Sequence, residues 1–153
     1  MKGLPPVLTR STFLWLGLGL TVLLPMTPAA QSATEARSVW EGVYAESQAE
    51  RGKAVYEAEC AFCHQSDLRG QGFAPALIEQ TFSGRWQDGN LGDLFTIVQV
   101  TMPQDKPASL TGSQYAEIVA YLLKANRYPA GQQELTQEAK LLERVTFKKS
   151  DAK

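Results

Sequence analysis

The sequence predicts a small all-α domain made of three helices and two long loops. Apolar residues recur at intervals of three and four in three separate segments, which is the period of a helix that is buried on one face. Glycine and proline interrupt the chain between these segments. Loops of that length are uncommon in so small a domain unless they enclose something. The pattern therefore also indicates a buried prosthetic group.

Residues 1–33 have the composition of a secretory signal peptide. Lys2 and Arg10 give a basic start without any acidic residue, and an apolar run of 14 residues extends from Phe13 to Met26. Small residues then offer a cleavage zone between about residues 29 and 33. The run is shorter than the roughly 18 residues of a membrane span, so we expect cleavage and no span afterwards. A retained leader would instead anchor the protein in the membrane.

Removal of this leader changes the charge balance. The whole chain has 15 basic and 16 acidic residues, and the loss of two basic ones leaves a net charge of −3. A mildly acidic surface argues against nucleic acid as a partner and against binding to anionic membrane surfaces. Export to the periplasm permits disulfides, so a bond between the two cysteines has to be considered.

The main domain is predicted at residues 47–128 and begins with a helix at 47–61. One face of this helix carries residues at the spacing i, i+3, i+4 and i+8, namely Gly52, Val55, Tyr56 and Cys60. The stretch HQSDLRGQGFAPAL follows, and its two glycines and one proline predict an ordered loop.

Two further helices complete the predicted domain. Leu91 begins the first of them, and Asn90 can cap it. A second loop, TMPQDKPAS, separates it from an amphipathic helix at residues 113–126. Thr111 and Gln114 have the spacing of a capping box at the start of this last helix.

Segments of lower sequence regularity flank the domain. In the N-terminal extension, residues 34–46, we expect Trp40 and Tyr44 to pack over the helices. The C-terminal tail, residues 129–153, is predicted to form a short helix at 138–145 and then a frayed, basic end.

The segment CAFCH, Cys60 to His64, contains both cysteines and the single histidine of the chain. A disulfide between Cys60 and Cys63 would close a very small loop and add little stability. Redox-active C-x-x-C pairs are typical of βαβ settings rather than of helical chains. A structural zinc ion requires four ligands, and the chain has neither a third cysteine nor a second histidine.

Covalent haem attachment uses all three residues of this segment. In C-x-x-C-H the two thiols attach to haem, and the adjacent histidine ligates its iron. The sequence therefore predicts one haem c, attached through Cys60 and Cys63, with His64 as an axial ligand. A thiol–disulfide oxidoreductase is the alternative.

Met102 is the predicted second axial ligand. Met1 and Met26 belong to the leader, so Met102 is the methionine that the exported chain retains, 38 residues after His64. Pro103 favours extended backbone at the preceding residue, which suits the presentation of a side chain from a loop. If Met102 only fills the core, the iron keeps an open position, and the protein is a five-coordinate haem enzyme or a gas sensor.

Four segments in this order, ERGKAVYEAECAFCH, GFAPAL, TMP and SQYAEIVAYLLKAN, resemble the class I monohaem cytochromes c over about residues 50–126. The resemblance implies a small helical fold wrapped around one covalently attached haem, with the first and last helices crossing. Gly52 and Tyr56 would then meet the last helix near Tyr121 and Leu122.

The same resemblance assigns a role to Pro75, whose carbonyl would accept a hydrogen bond from the Nδ1–H of His64. Such a bond orients a ligating imidazole. The stretches 38–56 and 101–131 are similar to haem subunits or domains that accompany quinoprotein alcohol and sugar dehydrogenases.

Aromatic and apolar side chains give further candidate contacts with haem. The indole N–H of Trp86 or the guanidinium of Arg85 would contact a haem propionate, and packing in the core is the alternative for Trp86. The apolar wall beside the haem is expected to contain Phe62, Leu77, Leu94 and Phe95.

With His64 and Met102 as axial ligands, no iron position is open to oxygen or peroxide. We therefore expect an electron-transfer protein rather than an enzyme, with a potential raised by its methionine ligand. It would accept single electrons from a periplasmic dehydrogenase, of the quinoprotein type by resemblance, and pass them toward a terminal oxidase.

Overall fold

A computed structural model of the protein describes residues 37–149, and helices dominate it. The elements in chain order are β1 (Arg37–Ser38), a 3-10 turn (Val39–Glu41), α1 (Glu46–Glu59), α2 (Ala61–His64), α3 (Glu79–Trp86), α4 (Leu91–Thr101), α5 (Gly112–Ala125), α6 (Ala139–Leu142) and β2 (Val145–Thr146). The predicted all-α class is confirmed, because each strand has only two residues. The predicted leader lies outside the described residues. From residue 37 to residue 149, no helix combines the length and the apolarity of a membrane span.

The closest approach of α1 to α5 occurs at Gly52. A Cβ atom there would lie 1.8 Å from the carbonyl oxygen of Glu117 and 3.1 Å from the nitrogen of Ile118. One turn later, the rings of Tyr56 and Tyr121 pack with their centroids 5.2 Å apart. Tyr56 therefore meets the residue expected of it, whereas Gly52 meets α5 one turn earlier than expected. The backbones touch at Gly52 because glycine has no side chain to separate them.

The capping residues predicted for α4 and α5 occupy their expected positions. Asn90 accepts a hydrogen bond from the backbone N–H of Asp93 at 2.9 Å. Thr111 and Gln114 form a reciprocal capping box at the start of α5, which satisfies backbone donors that the first turn leaves without partners. The five apolar positions that predicted the buried face of α5 are all buried, namely Tyr115, Ile118, Val119, Leu122 and Leu123.

Helix α3 lies between the first predicted loop and the helix predicted from Leu91, in a stretch for which we predicted no element. Only Phe82 and Trp86, four residues apart, are buried on this helix. Two apolar positions and an internal glycine, Gly84, make a weak helical signal. Packing against the C-terminal tail, described next, supplies the burial that the local pattern lacks.

The C-terminal tail is folded up to Phe147, so the prediction of a frayed end is wrong over that part. Its strand β2 pairs in parallel with β1, with Arg37 opposite Val145. The Ser38 hydroxyl donates to the carbonyl of Lys148 at 2.5 Å, and the Trp40 indole N–H donates to the carbonyl of Phe147 at 3.2 Å. These contacts join the two ends of the described chain.

Phe147 explains why the tail folds despite its basic residues. Its ring contacts three other aromatic rings, those of Phe82, Trp86 and Tyr128, and it is 4% exposed. Burial of a large aromatic ring outweighs the cost of ordering a few exposed lysines. The predicted tail helix is present but short, as α6, and it packs on α4 at Gly92.

Two buried polar side chains hold the rest of the tail. The hydroxyl of Tyr44 donates to the carbonyl of Tyr128 at 2.8 Å. Gln48 bonds both backbone groups of Leu135, at 2.9 Å and 2.7 Å. We call residues 37–45 and 128–148 together the terminal clasp. Trp40 and Tyr44, which we expected to pack over the helices, contact Tyr128 and Phe147.

The Gly52 contact makes a directional prediction. Gly52→Ala should destabilise the protein by about 1–3 kcal/mol through overpacking against the α5 backbone, which exceeds the gain in helix propensity of about 1 kcal/mol. Gly84→Ala is the matched control, since its Cβ would have no neighbour closer than 3.6 Å, and it should be neutral or stabilising. Urea titration measures both. Equal stabilities of the two variants would contradict the close contact.

The terminal clasp makes a second prediction. Phe147→Ala should cost about 3–5 kcal/mol of unfolding free energy, as expected for a buried phenylalanine. Phe73, which is fully exposed, provides the control, and its replacement by Ala should change stability by less than about 0.5 kcal/mol. The same urea titration applies. A small effect at Phe147 would mean that the tail is not packed.

Candidate haem site

The C-x-x-C-H motif forms one helical turn directly after α1. The backbone N–H groups of Cys63 and His64 both donate to the carbonyl of Cys60, at 3.2 Å and 3.0 Å. Gln65 then adopts a positive φ of 64° and ends α2. The hydroxyl of Tyr56 donates to the Gln65 carbonyl at 2.7 Å. The buried face of α1 therefore fixes the position at which the motif ends.

The loop after the motif turns back toward His64. Gly70 donates its backbone N–H to the His64 carbonyl at 2.9 Å. Its φ is +70°, and a Cβ atom there would lie 2.2 Å from the carbonyl oxygen of Ala74. Only glycine fits both conditions without strain. The glycine that the sequence marks as a loop residue therefore allows the tight return that carries Pro75 to the histidine.

His64 is held by the hydrogen bond that the family resemblance implies. Its Nδ1 donates to the carbonyl oxygen of Pro75 at 2.9 Å, and the residue is 7% exposed. A carbonyl can only accept, so this bond places the proton on Nδ1. Nε2 is left as the nitrogen with a free lone pair, the state that a metal-ligating imidazole requires.

The two cysteines are free thiols. Cys60 is partly buried and Cys63 is exposed. Burial, with smaller contributions from Glu59 and Cys63, raises the pKa of the Cys60 thiol to about 11. Thiols that exchange disulfides have lowered pKa values instead. Cys60 therefore lacks the lowered thiol pKa that is typical of an attacking cysteine.

Met102 is the first residue after α4, in the loop in which the sequence predicted it, whereas Thr101, predicted in the same loop, is the last residue of the helix. The backbone of Met102 is extended, with φ −124° and ψ 149°, as expected before Pro103. The peptide bond between these two residues is cis. The backbone N–H of Met102 donates to the Val98 carbonyl at 3.0 Å, and the Met102 carbonyl accepts from the hydroxyl of Tyr115 at 2.8 Å.

One side-chain contact joins the Met102 region to the haem motif. The ammonium group of Lys106 pairs with the carboxylate of Glu59 at 2.6 Å, and Glu59 directly precedes Cys60. This pair and the hydroxyl of Tyr115 were missed from the sequence. A tyrosine on the apolar face of a helix needs a hydrogen-bond partner for its hydroxyl. The position of Tyr115 on that face was the sequence signal that could have revealed this contact.

The residues present fit a haem c group. Two free thiols occupy one helical turn, an imidazole with a free Nε2 follows them, and the methionine is held at the end of a helix. This set of donors matches covalent attachment with histidine and methionine as axial ligands.

The other residues predicted to contact haem differ in their burial and in their neighbours. Trp86 is buried with its ring stacked on that of Phe147, at a centroid distance of 6.2 Å, and the Arg85 guanidinium lies 5.2 Å from the centroid of the Trp86 ring. Of the expected apolar wall, Leu94 and Phe95 are buried and Leu77 is partly buried. Phe62, by contrast, is 88% exposed, so its ring points away from the core.

Comparisons with known proteins agree with this site. Residues 47–122 match the family model described as cytochrome c oxidase, cbb3-type, subunit III. The cytochrome subunit of fructose dehydrogenase from Gluconobacter japonicus is 37% identical over 86 residues. That match covers 47% of this chain and 18% of the subunit, so the chain spans less than a fifth of the relative's length. No solved structure matches the chain significantly.

The matched segment contains the complete C-x-x-C-H turn, Pro75, Met102 and the crossing of α1 with α5. Over residues 47–122 this chain is therefore similar to proteins of the cytochrome c type.

Proposed function

We propose that this protein is an exported monohaem c-type cytochrome that carries single electrons. The observation that carries the proposal is the state of His64. It is buried, it follows two free cysteines in one helical turn, and its Nδ1 bonds the Pro75 carbonyl at 2.9 Å. A histidine in this arrangement is prepared to ligate a metal through Nε2.

Each residue of the proposed site has a separate task. Cys60 and Cys63 would hold the haem covalently, and His64 and Met102 would be the axial ligands of its iron. Bound haem supplies a centre that takes up and releases one electron. The neutral thioether of Met102 favours the reduced state of that centre and so raises its potential. Buried apolar residues such as Leu94 and Phe95 keep water away, which acts in the same direction.

The proposed partners are a periplasmic dehydrogenase as electron donor and a terminal oxidase as acceptor. The printed name of the Gluconobacter relative, a cytochrome subunit of a dehydrogenase, supports the donor, in keeping with the resemblance to quinoprotein systems. The name of the matching family, an oxidase subunit, supports the acceptor. Periplasmic localisation is supported by the predicted leader.

Trp86 is proposed as a contact for a haem propionate, with its N–H as donor.

Covalent attachment has a direct test. Denaturation of the purified protein in alkaline pyridine should give the spectrum of haem c, and the haem should stay with the polypeptide on a denaturing gel. Replacing both Cys60 and Cys63 by Ser should release the haem, because both thioether bonds are lost. Wild-type protein that releases its haem under these conditions would contradict attachment at this motif.

The axial ligand is tested by Met102→Ala. We expect the reduction potential to fall and the methionine–iron charge-transfer band of the oxidised protein to disappear, since the thioether that stabilises the reduced iron is gone. Val100→Ala, an exposed change on the same helix, should alter neither quantity. An unchanged potential in Met102→Ala, together with rapid carbon monoxide binding by the reduced wild type, would favour the five-coordinate enzyme or sensor instead.

A further inference from the structure

A single buried hydroxyl contacts both ends of the segment that follows α4. We call residues 102–110 the Met102 loop. Tyr115, in the first turn of α5, donates its hydroxyl hydrogen to the Met102 carbonyl at 2.8 Å. The same hydroxyl oxygen accepts the backbone N–H of Leu110 at 3.4 Å. Tyr115 is 1% exposed, and its two partner residues are half-buried.

The hydroxyl completes the fixation of the Met102 backbone. The N–H of Met102 is already bonded to the Val98 carbonyl at 3.0 Å as the last bond of α4. With its carbonyl bonded to Tyr115, both peptide groups flanking the Cα of Met102 are held. The direction of the Cα–Cβ bond follows from the positions of these two groups, and a side chain leaves a fixed backbone in only a few rotamers.

The Met102 loop has a second side-chain contact, an ion pair, which restrains the loop less than the hydroxyl of Tyr115 does. Lys106 pairs with Glu59 at 2.6 Å, but both side chains are partly or largely exposed to solvent. Exposed ion pairs contribute little, because water and salt screen them and two long side chains have to be ordered. A hydrogen bond from a buried hydroxyl matters more, since its loss leaves a polar group in the protein interior without a partner. Tyr115 is therefore the main constraint on the loop.

We propose that Tyr115 is a positioning residue for Met102. By holding the start and the end of the Met102 loop, its hydroxyl keeps the thioether in place for the iron and opposes its displacement by external ligands. This inference rests on the proposed ligation by Met102. A phenylalanine would fill the same space but could not hold the loop, so the function resides in the hydroxyl.

The chain contains a matched control for this hydroxyl. Tyr44 is also 1% exposed, and it also donates to a backbone carbonyl at 2.8 Å, that of Tyr128 in the terminal clasp. Tyr44→Phe and Tyr115→Phe remove the same atom from equally buried rings. Both should lower global stability, and only Tyr115→Phe should act on Met102.

The experiment is an imidazole titration of the oxidised, haem-loaded proteins, followed by the methionine–iron charge-transfer band. Tyr115→Phe should raise the apparent affinity for imidazole about tenfold, the size expected from losing one buried hydrogen bond in the methionine-bound state. Its reduction potential should fall as well. Tyr44→Phe should stay within about twofold of wild type, since its hydroxyl bond is remote from the loop. Equal imidazole affinities for the two variants would overturn the inference.

A measurement on wild-type protein keeps the test decisive if Tyr115→Phe does not fold. Coupling between two contacts is reciprocal, so displacing Met102 with imidazole should speed amide exchange at Leu110. The amide of Leu135, bonded to Gln48 at 2.7 Å in the clasp, is the control and should not change. Unchanged exchange at Leu110 would overturn the role of Tyr115.

The two levels of the proposal fail in different ways. A wild-type protein that lacks the methionine–iron band would overturn ligation by Met102, and the positioning role toward iron would go with it. A wild-type protein that shows the band, with Tyr115→Phe identical to wild type in imidazole affinity and potential, would overturn the positioning role and leave the ligand assignment intact.

Discussion

The structure depends on the contact between α1 and α5 at Gly52, where two helix backbones meet without a side chain between them. The two segments of the candidate site both start from this crossing. The far end of α1 leads into the turn with Cys60, Cys63 and His64, and the first turn of α5 carries Tyr115, which holds Met102. Because helices are stiff, an error of position at the crossing would be carried to both segments.

Both proposed iron ligands are positioned through backbone carbonyls. The ring of His64 is oriented by the carbonyl of Pro75, and the main chain of Met102 is held by its own carbonyl bonded to Tyr115. Every residue has a carbonyl group, so no particular residue type is needed to supply one. The sequence has to specify instead the path of the chain that brings the right carbonyl into place. Gly70 and Tyr115 do this in different ways, one by allowing a tight return and the other by holding a loop at its two ends.

The parts of the fold that could be predicted from the sequence are those encoded locally. Caps at Asn90 and Thr111 and the apolar stripe of α5 involve residues three or four apart, so their pattern is visible in the sequence. The C-x-x-C-H turn is equally local.

The elements that were missed or misjudged depend on distant partners. Helix α3 gains its burial from Phe147, about sixty positions away in the sequence numbering. The tail was read as frayed because its lysines are visible in the sequence, whereas the aromatic rings around Phe147 come from other parts of the chain. Tyr115 was counted as one more apolar position of α5, because a periodic pattern does not distinguish a ring from a ring with a hydroxyl group.

The terminal clasp also has a consequence for the order in which contacts form during folding. Its bonds join Ser38 to Lys148 and Trp40 to Phe147, which are 110 and 107 positions apart. Contacts of such long range close after local ones, since the entropy of closing the intervening chain has to be met first. The clasp can therefore close only when the chain extends to Lys148, and a product that ends before Phe147 would leave the indole N–H of Trp40 without this acceptor.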